Sequence, residues 1–208
     1  MKKALIIIAV IVVFLLAAAA VVPVFFKDDI KASIDKALAE SLNAEVVWDT
    51  EDFSLSLFTN FPNVTAGLNN FGILNREPFD GEILFAVKEF EIEVDLFSLF
   101  GDQIKINGIQ MNQPQVFIKV LKDGTANYDI VAEDTTTTTS ADTSATQFNI
   151  GIDHWEITDG HFVYNDASIP VFIEIKELQH SGSGDFTQDV FDLTASTLAD
   201  SVTFAFDG

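Results

Sequence analysis

The sequence has no cysteine, only two tryptophans and two tyrosines, and 11 basic residues against 32 acidic ones. Without cysteine, the chain forms neither a disulfide framework nor a thiolate metal site. Its net charge of −21 repels phosphate groups. The composition therefore argues against nucleic acid as a partner, and against electrostatic docking onto anionic lipid headgroups.

Motifs for catalysis are also missing. The three histidines, His154, His161 and His180, do not stand at metal-ligand spacing from one another. The sequence has no Gly-x-Ser-x-Gly elbow, phosphate-binding loop or dinucleotide fingerprint. We therefore predict that the protein is not an enzyme and has no catalytic residue, metal site or cofactor.

Phenylalanine, in contrast, is abundant, with 20 residues. It is the aromatic residue without a polar group, so its rings require apolar surroundings. Two interpretations fit: an ordinary hydrophobic core, or a groove lined for acyl chains.

The chain begins with an uncharged segment that runs from Ala4 through Leu16 to Phe26. As a helix it extends about 34 Å, enough for a hydrocarbon core of about 30 Å, so residues 1–26 are predicted to be a transmembrane anchor. The lysines at positions 2 and 3 favour a cytoplasmic N-terminus and an exported remainder. A cleaved signal peptide is the alternative, because Ala17 to Ala20 supply small residues.

A second periodicity follows the anchor. Apolar residues from Ile30 to Leu42 recur at spacings of three and four, which predicts an amphipathic helix that covers one end of a sheet. Asn43 is expected to end this helix in the left-handed conformation.

From Val87 to Val120 the pattern changes to strict alternation of apolar and polar residues, which is typical of strands with one apolar face. Interruptions at Phe97 to Asp102 and at Asn112 to Pro114 divide this stretch into three strands. We predict an elongated, curved antiparallel meander whose apolar face forms a half-open groove. The predicted groove-lining residues are Phe90, Ile92, Val94, Leu96, Ile104, Ile106, Val116 and Ile118.

The rest of the chain extends this plan. Residues 27–131 are predicted to hold the helix and the meander, 132–147 a Thr-rich flexible loop, and 148–208 a continuing sheet segment. Asp159-Gly160 and Ser181 to Gly184 are interpreted as turns. The apolar strand Val202 to Phe206 is expected at an edge, which indicates a piece of a longer protein or a sheet meant to be extended.

The order of these parts resembles the N-terminal region of the AsmA family of bacterial envelope proteins, over about residues 1–131. Besides the anchor and the helix, the segments that carry the resemblance are Asn43 to Val46, Phe58 to Pro62, Val94 to Leu99, Ile104 to Ile109, Gln113 to Val116 and Asp123 to Tyr128. The resemblance implies a single-pass inner-membrane protein whose bulk is periplasmic. It also implies an association with outer-membrane biogenesis and a likeness to groove-type lipid-transfer proteins.

Three functions are compatible with the sequence. The first is a membrane-anchored protein that shields or transfers phospholipid along the apolar groove. The second is an anchored envelope scaffold with a closed core that binds other envelope proteins, and the third is a secreted β-sandwich released by signal cleavage. Ten to twelve strands reach only about 50 to 60 Å, too short to bridge a cell envelope alone.

Overall fold

A computed structural model describes residues 28–29, 31–56, 62–98, 105–131, 151–184 and 192–206. Within these residues no helix is long and apolar enough to span a bilayer. The predicted anchor, residues 1–26, and the predicted Thr-rich loop, residues 132–147, lie outside the described residues.

The described chain is mainly β, as predicted. One helix, α1, covers residues 28–29 and 31–41, and a short 3₁₀ turn covers Thr50–Asp52. The strands are β1 (Ala44–Val47), β2 (Phe53–Ser56), β3 (Asn63–Asn75), β4 (Ile83–Asp95), β5 (Lys105–Asn112), β6 (Gln115–Val120), β7 (Gly151–Asp166), β8 (Val171–Gly184), β9 (Leu193–Leu198) and β10 (Ser201–Phe206). All ten strands belong to one sheet.

The sheet is mixed, so the prediction of a purely antiparallel meander was wrong. Strands β5 and β6 both pair in parallel with β7, whereas the other neighbours are antiparallel. Parallel neighbours need a long crossover connection, and 30 residues separate Val120 from Gly151. Strand β7 begins beside the start of β5 and ends beside the end of β6.

Several predicted turns are not reversals. Strands β5 and β6 run in the same direction between β4 and β7, so the interruption at Asn112 to Pro114 lies within one strand position. Strand β7 runs straight through Asp159-Gly160, and Ser181 to Gly184 form the end of β8. The chain does turn at Asp123-Gly124, where Gly124 has a φ of 89° and its N–H donates to the carbonyl of Leu121.

The ten strands occupy seven positions across the sheet, because β1 and β2, β5 and β6, and β9 and β10 share positions. At a spacing of about 4.8 Å the seven positions span about 29 Å. The described sheet is therefore about half as wide as the sequence indicated.

One row of residues crosses the sheet at the points where β1 is separated from β2, β5 from β6, and β9 from β10. Asn70, Gln113, Asp159 and Glu177 have φ values between 51° and 54°, in the left-handed region that non-glycine residues rarely adopt. The register places Asn70 and Gln113 opposite Lys88, and Asp159 next to Gln113. The breaks between β1 and β2 and between β9 and β10 lie on the same line. We call the row of Asn70, Lys88, Gln113, Asp159 and Glu177 the crease.

Helix α1 is anchored at one edge of the sheet. Asp35 accepts a hydrogen bond from the Trp48 indole at 2.8 Å and pairs with Lys31 at 2.6 Å, and Lys31 lies over the Trp48 ring. The hydrogen bond from Lys31, followed by the one from Trp48, lowers the pKa of the Asp35 carboxyl. These contacts attach the helix to the segment that follows β1.

Asn43 does not adopt the predicted left-handed conformation. It does not belong to the described non-glycine residues with positive φ. Its N–H instead donates to the carbonyl of Ile130 at 2.7 Å, and Leu42 bridges to Val131. The helix therefore ends by pairing with a distant segment, which a local capping rule does not foresee.

Buried asparagines attach that segment, residues 121–131, to the sheet. The Asn127 amide donates to the carbonyl of Phe117 at 2.7 Å and to Oδ1 of Asn75 at 3.3 Å. Its own oxygen accepts from the N–H of Lys119 at 2.8 Å. Because Asn75 and Asn127 are 4% and 2% exposed, these bonds satisfy polar groups that water does not reach.

The turn between β7 and β8 depends on Asp166, which is 6% exposed. Its carboxylate accepts hydrogen bonds from the N–H and Oγ of Ser168, from the N–H of Ile169 and from the Tyr164 hydroxyl. The bonds from Ser168, followed by the one from Tyr164, lower the pKa of Asp166 below its usual value.

We predict that Asp166→Asn reduces the loss of stability in acid. A carboxyl whose pKa is lowered by folding stabilises the fold above its unfolded-state pKa, and this contribution is lost as the pH falls through the folded-state pKa. The urea midpoint of the wild type should therefore fall more between pH 6 and pH 3 than that of the variant. Asp80→Asn, in an exposed loop, is the control and should behave like the wild type. Equal pH dependence of Asp166→Asn and the wild type would contradict this role.

Candidate functional site: the apolar face of the sheet

The predicted groove-lining residues of β4 and β5 lie on one face of the sheet. The pairs across these strands are Phe90–Met111, Ile92–Ile109 and Val94–Ile106. On the other side of β4, the same three residues pair with Leu68, Ala66 and Val64. Because paired residues share a face, the apolar stripe of β4 continues onto both neighbours.

Leu96 and Ile104 are two further predicted lining residues. Leu96 follows β4, and its N–H donates to the carbonyl of Pro62 at 3.1 Å, which continues the pairing of β3 with β4. Ile104 lies outside the described residues, as do the predicted anchor residues Ala4, Leu16 and Phe26.

The two remaining residues, Val116 and Ile118, lie beyond the crease, where the alternation is reset. The N–H of Gln113 donates to Thr158 of β7, and the carbonyl of the next residue, Pro114, accepts from His161 of β7, both at 2.8 Å. In an uninterrupted strand, the polar groups of consecutive residues point to opposite neighbours. Consecutive residues that both bond to β7 therefore mark a shift of one residue in the alternation.

This shift decides the face of Val116 and Ile118. In β6, the even-numbered residues direct their N–H and C=O groups towards β7. The hydrogen bond from the N–H of Ala167 to the carbonyl of Val120 is an example. Before the crease, odd-numbered residues such as Ile109 do so, in phase with Gln113. Backbone direction and side-chain face are coupled in a strand of L-residues. Val116 and Ile118 therefore lie on the same face as Ile109.

Sequence reasoning missed part of this face. Ile109 and Met111 pair with Trp155 and Ile157 of β7, which extend the apolar surface beyond the predicted residues. The Trp155 ring lies over Gly182 of β8, where a Cβ would overlap the indole. Alternation at Trp155 and Ile157 is visible in the sequence, but their pairing with β5 depends on the parallel crossover.

The opposite face is polar and acidic. On the half of the sheet that contains β5, this face carries Glu89, Glu91 and Glu93, which alternate with the apolar residues of β4. Of the seven described lysines, six lie within 4.0 Å of a carboxylate, including Lys105 with Asp153 and Lys119 with Glu82. Hydrogen bonds from His161 and then Lys176 lower the pKa of Glu174 on this face. These pairs leave no basic patch in the described residues.

Two surface depressions open elsewhere on the sheet, the first of them among residues of this polar face. The first has a volume of about 300 Å³ and is lined by Glu89, Glu91, Gln110, Met111, Asn112, Glu156 and Thr158. The second, of about 440 Å³, is lined mainly by apolar residues, among them Val47, Phe71, Leu74, Ile83, Phe85 and Val87. Neither contains any of the predicted groove-lining residues. The described residues contain no group of three or more His, Cys, Asp or Glu side chains placed to hold a metal ion.

The apolar face has no second layer of strands over it. All ten described strands lie in one sheet, and strands that are not neighbours in it make no extensive contacts with one another. No large side chain in this part of the chain is fully buried, and Phe90, Ile92, Val94, Ile106, Val116 and Ile118 are half-buried. The described strands thus form a single layer with an accessible apolar surface.

A comparison with models of protein families matches residues 1–186 to the AsmA family. The chain belongs to the AsmA family. A search of curated proteins and a search of solved structures found no match. Membership of the AsmA family is consistent with a role in the biogenesis of the cell envelope and the outer membrane. The matched residues include β7 and β8 as well as the segments that first indicated the resemblance.

We predict that Gly182→Val destabilises this AsmA-family protein by about 1–3 kcal/mol, the usual cost of overpacking. The new side chain would displace the Trp155 indole from the apolar face. Urea unfolding followed by tryptophan fluorescence measures both effects. Ser183→Val, one residue along β8 on the polar face, is the matched control and should change the midpoint little. An unchanged midpoint and spectrum for Gly182→Val would contradict this position of Trp155.

Proposed function

We propose that this AsmA-family protein holds phospholipid acyl chains on the apolar face of its sheet during outer-membrane biogenesis. The observation that carries the proposal is the accessible apolar face, which has no strand layer over it in the described residues. Each methylene transferred from water to such a surface contributes about 0.8 kcal/mol. Partial coverage of an acyl chain therefore supplies useful affinity without specific contacts.

The proposal places the protein in the bacterial inner membrane as a single-pass protein. Residues 1–26 serve as the anchor, the N-terminus lies in the cytoplasm, and the sheet works in the periplasm. The lysines before an uncharged segment of 23 residues and the family membership support this arrangement. The lipid bilayer and a phospholipid are then its partners, and the protein acts by shielding rather than by catalysis.

A scaffold that binds other envelope proteins is the second candidate. The observation that favours it is the edge strand β10, where Val202, Phe204 and Phe206 are 61–66% exposed. An apolar edge strand of this kind pairs readily with another strand. A scaffold with a closed β core is less well supported, since the described strands form one layer.

We predict that residues 27–208, prepared without detergent, carry phospholipid that mass spectrometry detects. Ile92→Glu and Ile106→Glu should remove most of it while the far-ultraviolet circular dichroism of the sheet remains, because a carboxylate on an accessible face disfavours acyl chains without disrupting a core. Glu91→Gln, next to Ile92 on the polar face, is the control and should retain the lipid.

Two results would contradict the proposal. Lipid-free wild-type protein would remove the support for lipid holding and favour the scaffold. Global unfolding of Ile92→Glu would indicate that this side chain belongs to a sealed core.

A further inference from the structure

The crease interrupts the sheet at six of its seven strand positions. Strand pairs β1 and β2, β5 and β6, and β9 and β10 are divided there, and β3, β7 and β8 pass through it with a left-handed residue. Strand β4 crosses it at Lys88. Isolated bulges affect one pair of strands, whereas this interruption is shared by nearly every strand.

The phase of the apolar residues changes at this row. Along β3, Val64, Ala66 and Leu68 precede Asn70, and Phe71 and Ile73 follow it. Along β7, Trp155 and Ile157 precede Asp159, and Phe162 and Tyr164 follow it. In each strand the apolar positions shift from odd to even or from even to odd.

If alternation continued unchanged through the row, Val116 and Ile118 would share a face with Glu89, Glu91 and Glu93. The shift in backbone direction at Gln113 and Pro114 prevents this, since it moves the side chains beyond the crease by one position. The apolar residues change between odd-numbered and even-numbered positions where the backbone also shifts by one residue. They therefore stay on the same face of the sheet.

Beyond the crease, the apolar face extends through three further strand positions. The register links Val116 with Phe162, and Ile118 with Tyr164, across β6 and β7. The pairs that continue it are Phe162–Ile175 and Tyr164–Ile173 across β7 and β8, and Ile175–Val202 and Ile173–Phe204 across β8 and β10. The surface thus runs from β4 to the edge strand without a charged residue at these paired positions, and Tyr164 contributes its ring.

We infer that the crease joins two apolar half-faces into one acyl-chain site, and that Phe162, Ile173, Ile175 and Phe204 belong to this site together with Ile92 and Ile109. The left-handed residues are positioning residues: they touch no lipid but set the face on which the lining residues lie. This inference rests on the proposed function and adds to it a second half of the site.

The polar side chains of the crease suit this role. Asn and Asp adopt the left-handed conformation more readily than other non-glycine residues, and β-branched residues do so least. The side chain of Asp159 accepts a hydrogen bond from Gln179 at 2.7 Å, and Asn70 donates to Asp52 at 3.2 Å. The first bond joins β8 to β7, and the second joins β3 to the 3₁₀ turn.

Site-specific photocrosslinking tests the inference. The full chain is reconstituted into vesicles of phosphatidylethanolamine and phosphatidylglycerol, with p-benzoylphenylalanine in place of Phe162 or Ile92. The matched controls carry it at Val163 or Glu91, one residue away on the polar face. We expect phospholipid adducts at Phe162 and Ile92 to exceed those at the controls several-fold.

The outcomes separate the inference from the proposed function. Adducts at Ile92 without adducts at Phe162 would overturn the joined site and leave lipid holding intact. Equal adducts at Phe162 and Val163 would also overturn it, because the two faces would not be distinguished. Absence of adducts at both Ile92 and Phe162 would overturn the proposed function itself.

Variants of Gln113 test the positioning role. Gln113→Gly accepts the left-handed conformation and should retain the adducts at Phe162, whereas Gln113→Val disfavours it and should reduce them several-fold with adducts at Ile92 unchanged. Full retention in Gln113→Val would overturn the role of the crease. If Gln113→Val does not fold, the comparison of Phe162 with Val163 in the otherwise unaltered chain still decides whether the site is joined.

Discussion

Side chains along a strand alternate between two faces, and every other property of this sheet depends on how the chain handles that constraint. A strand of 13 to 16 residues, such as β3, β4 or β7, keeps one apolar face only while its sequence and its backbone stay in phase. Both shift by one residue at the crease. The result is a single face that is apolar on both sides of the row and an opposite face that carries the carboxylates of β4.

The openness of that face follows from the architecture. A sheet buries its apolar face by packing against a helix or another sheet. Here α1 is attached at one edge through Trp48 and Asp35, and the described strands form one layer. Phe90, Ile92 and Ile106 therefore remain half-buried, and Phe204 and Phe206 of the edge strand are exposed. The carboxylates of the opposite face disfavour phosphate-rich partners, so the apolar face is the part of the molecule suited to binding.

Alternation in the sequence was sufficient to predict most strands, the amphipathic helix and the apolar stripe of β4. It was not sufficient to distinguish a turn from a left-handed residue inside a strand, because both interrupt the pattern. Asn112 to Pro114 and Asp159-Gly160 were interpreted as reversals for this reason. Hydrogen bonds such as that from His161 to Pro114, which connect distant segments, decide between the two.

The parallel pairing of β7 with β5 and β6 could not be predicted either, because no local sequence signal shows which strand β7 pairs with after a connection of 30 residues. For the same reason Trp155 and Ile157 did not enter the predicted site, although their alternation is plain. The predicted left-handed conformation of Asn43 at the end of α1 was wrong for a similar reason: Asn43 bonds to Ile130, which lies far along the chain. Local patterns thus predicted the elements, and long-range pairing determined their arrangement.

The two tryptophans allow a direct test of whether acyl chains occupy the apolar face. In the Trp48→Phe variant, Trp155 is the remaining tryptophan. Vesicles whose phospholipids carry bromine on the acyl chains should quench its fluorescence more than unbrominated vesicles do. Moving the indole by one residue onto the polar face, with Trp155→Phe and Glu156→Trp added, should abolish the difference. Equal quenching at both positions, or none at Trp155, would contradict an acyl-chain site on this face.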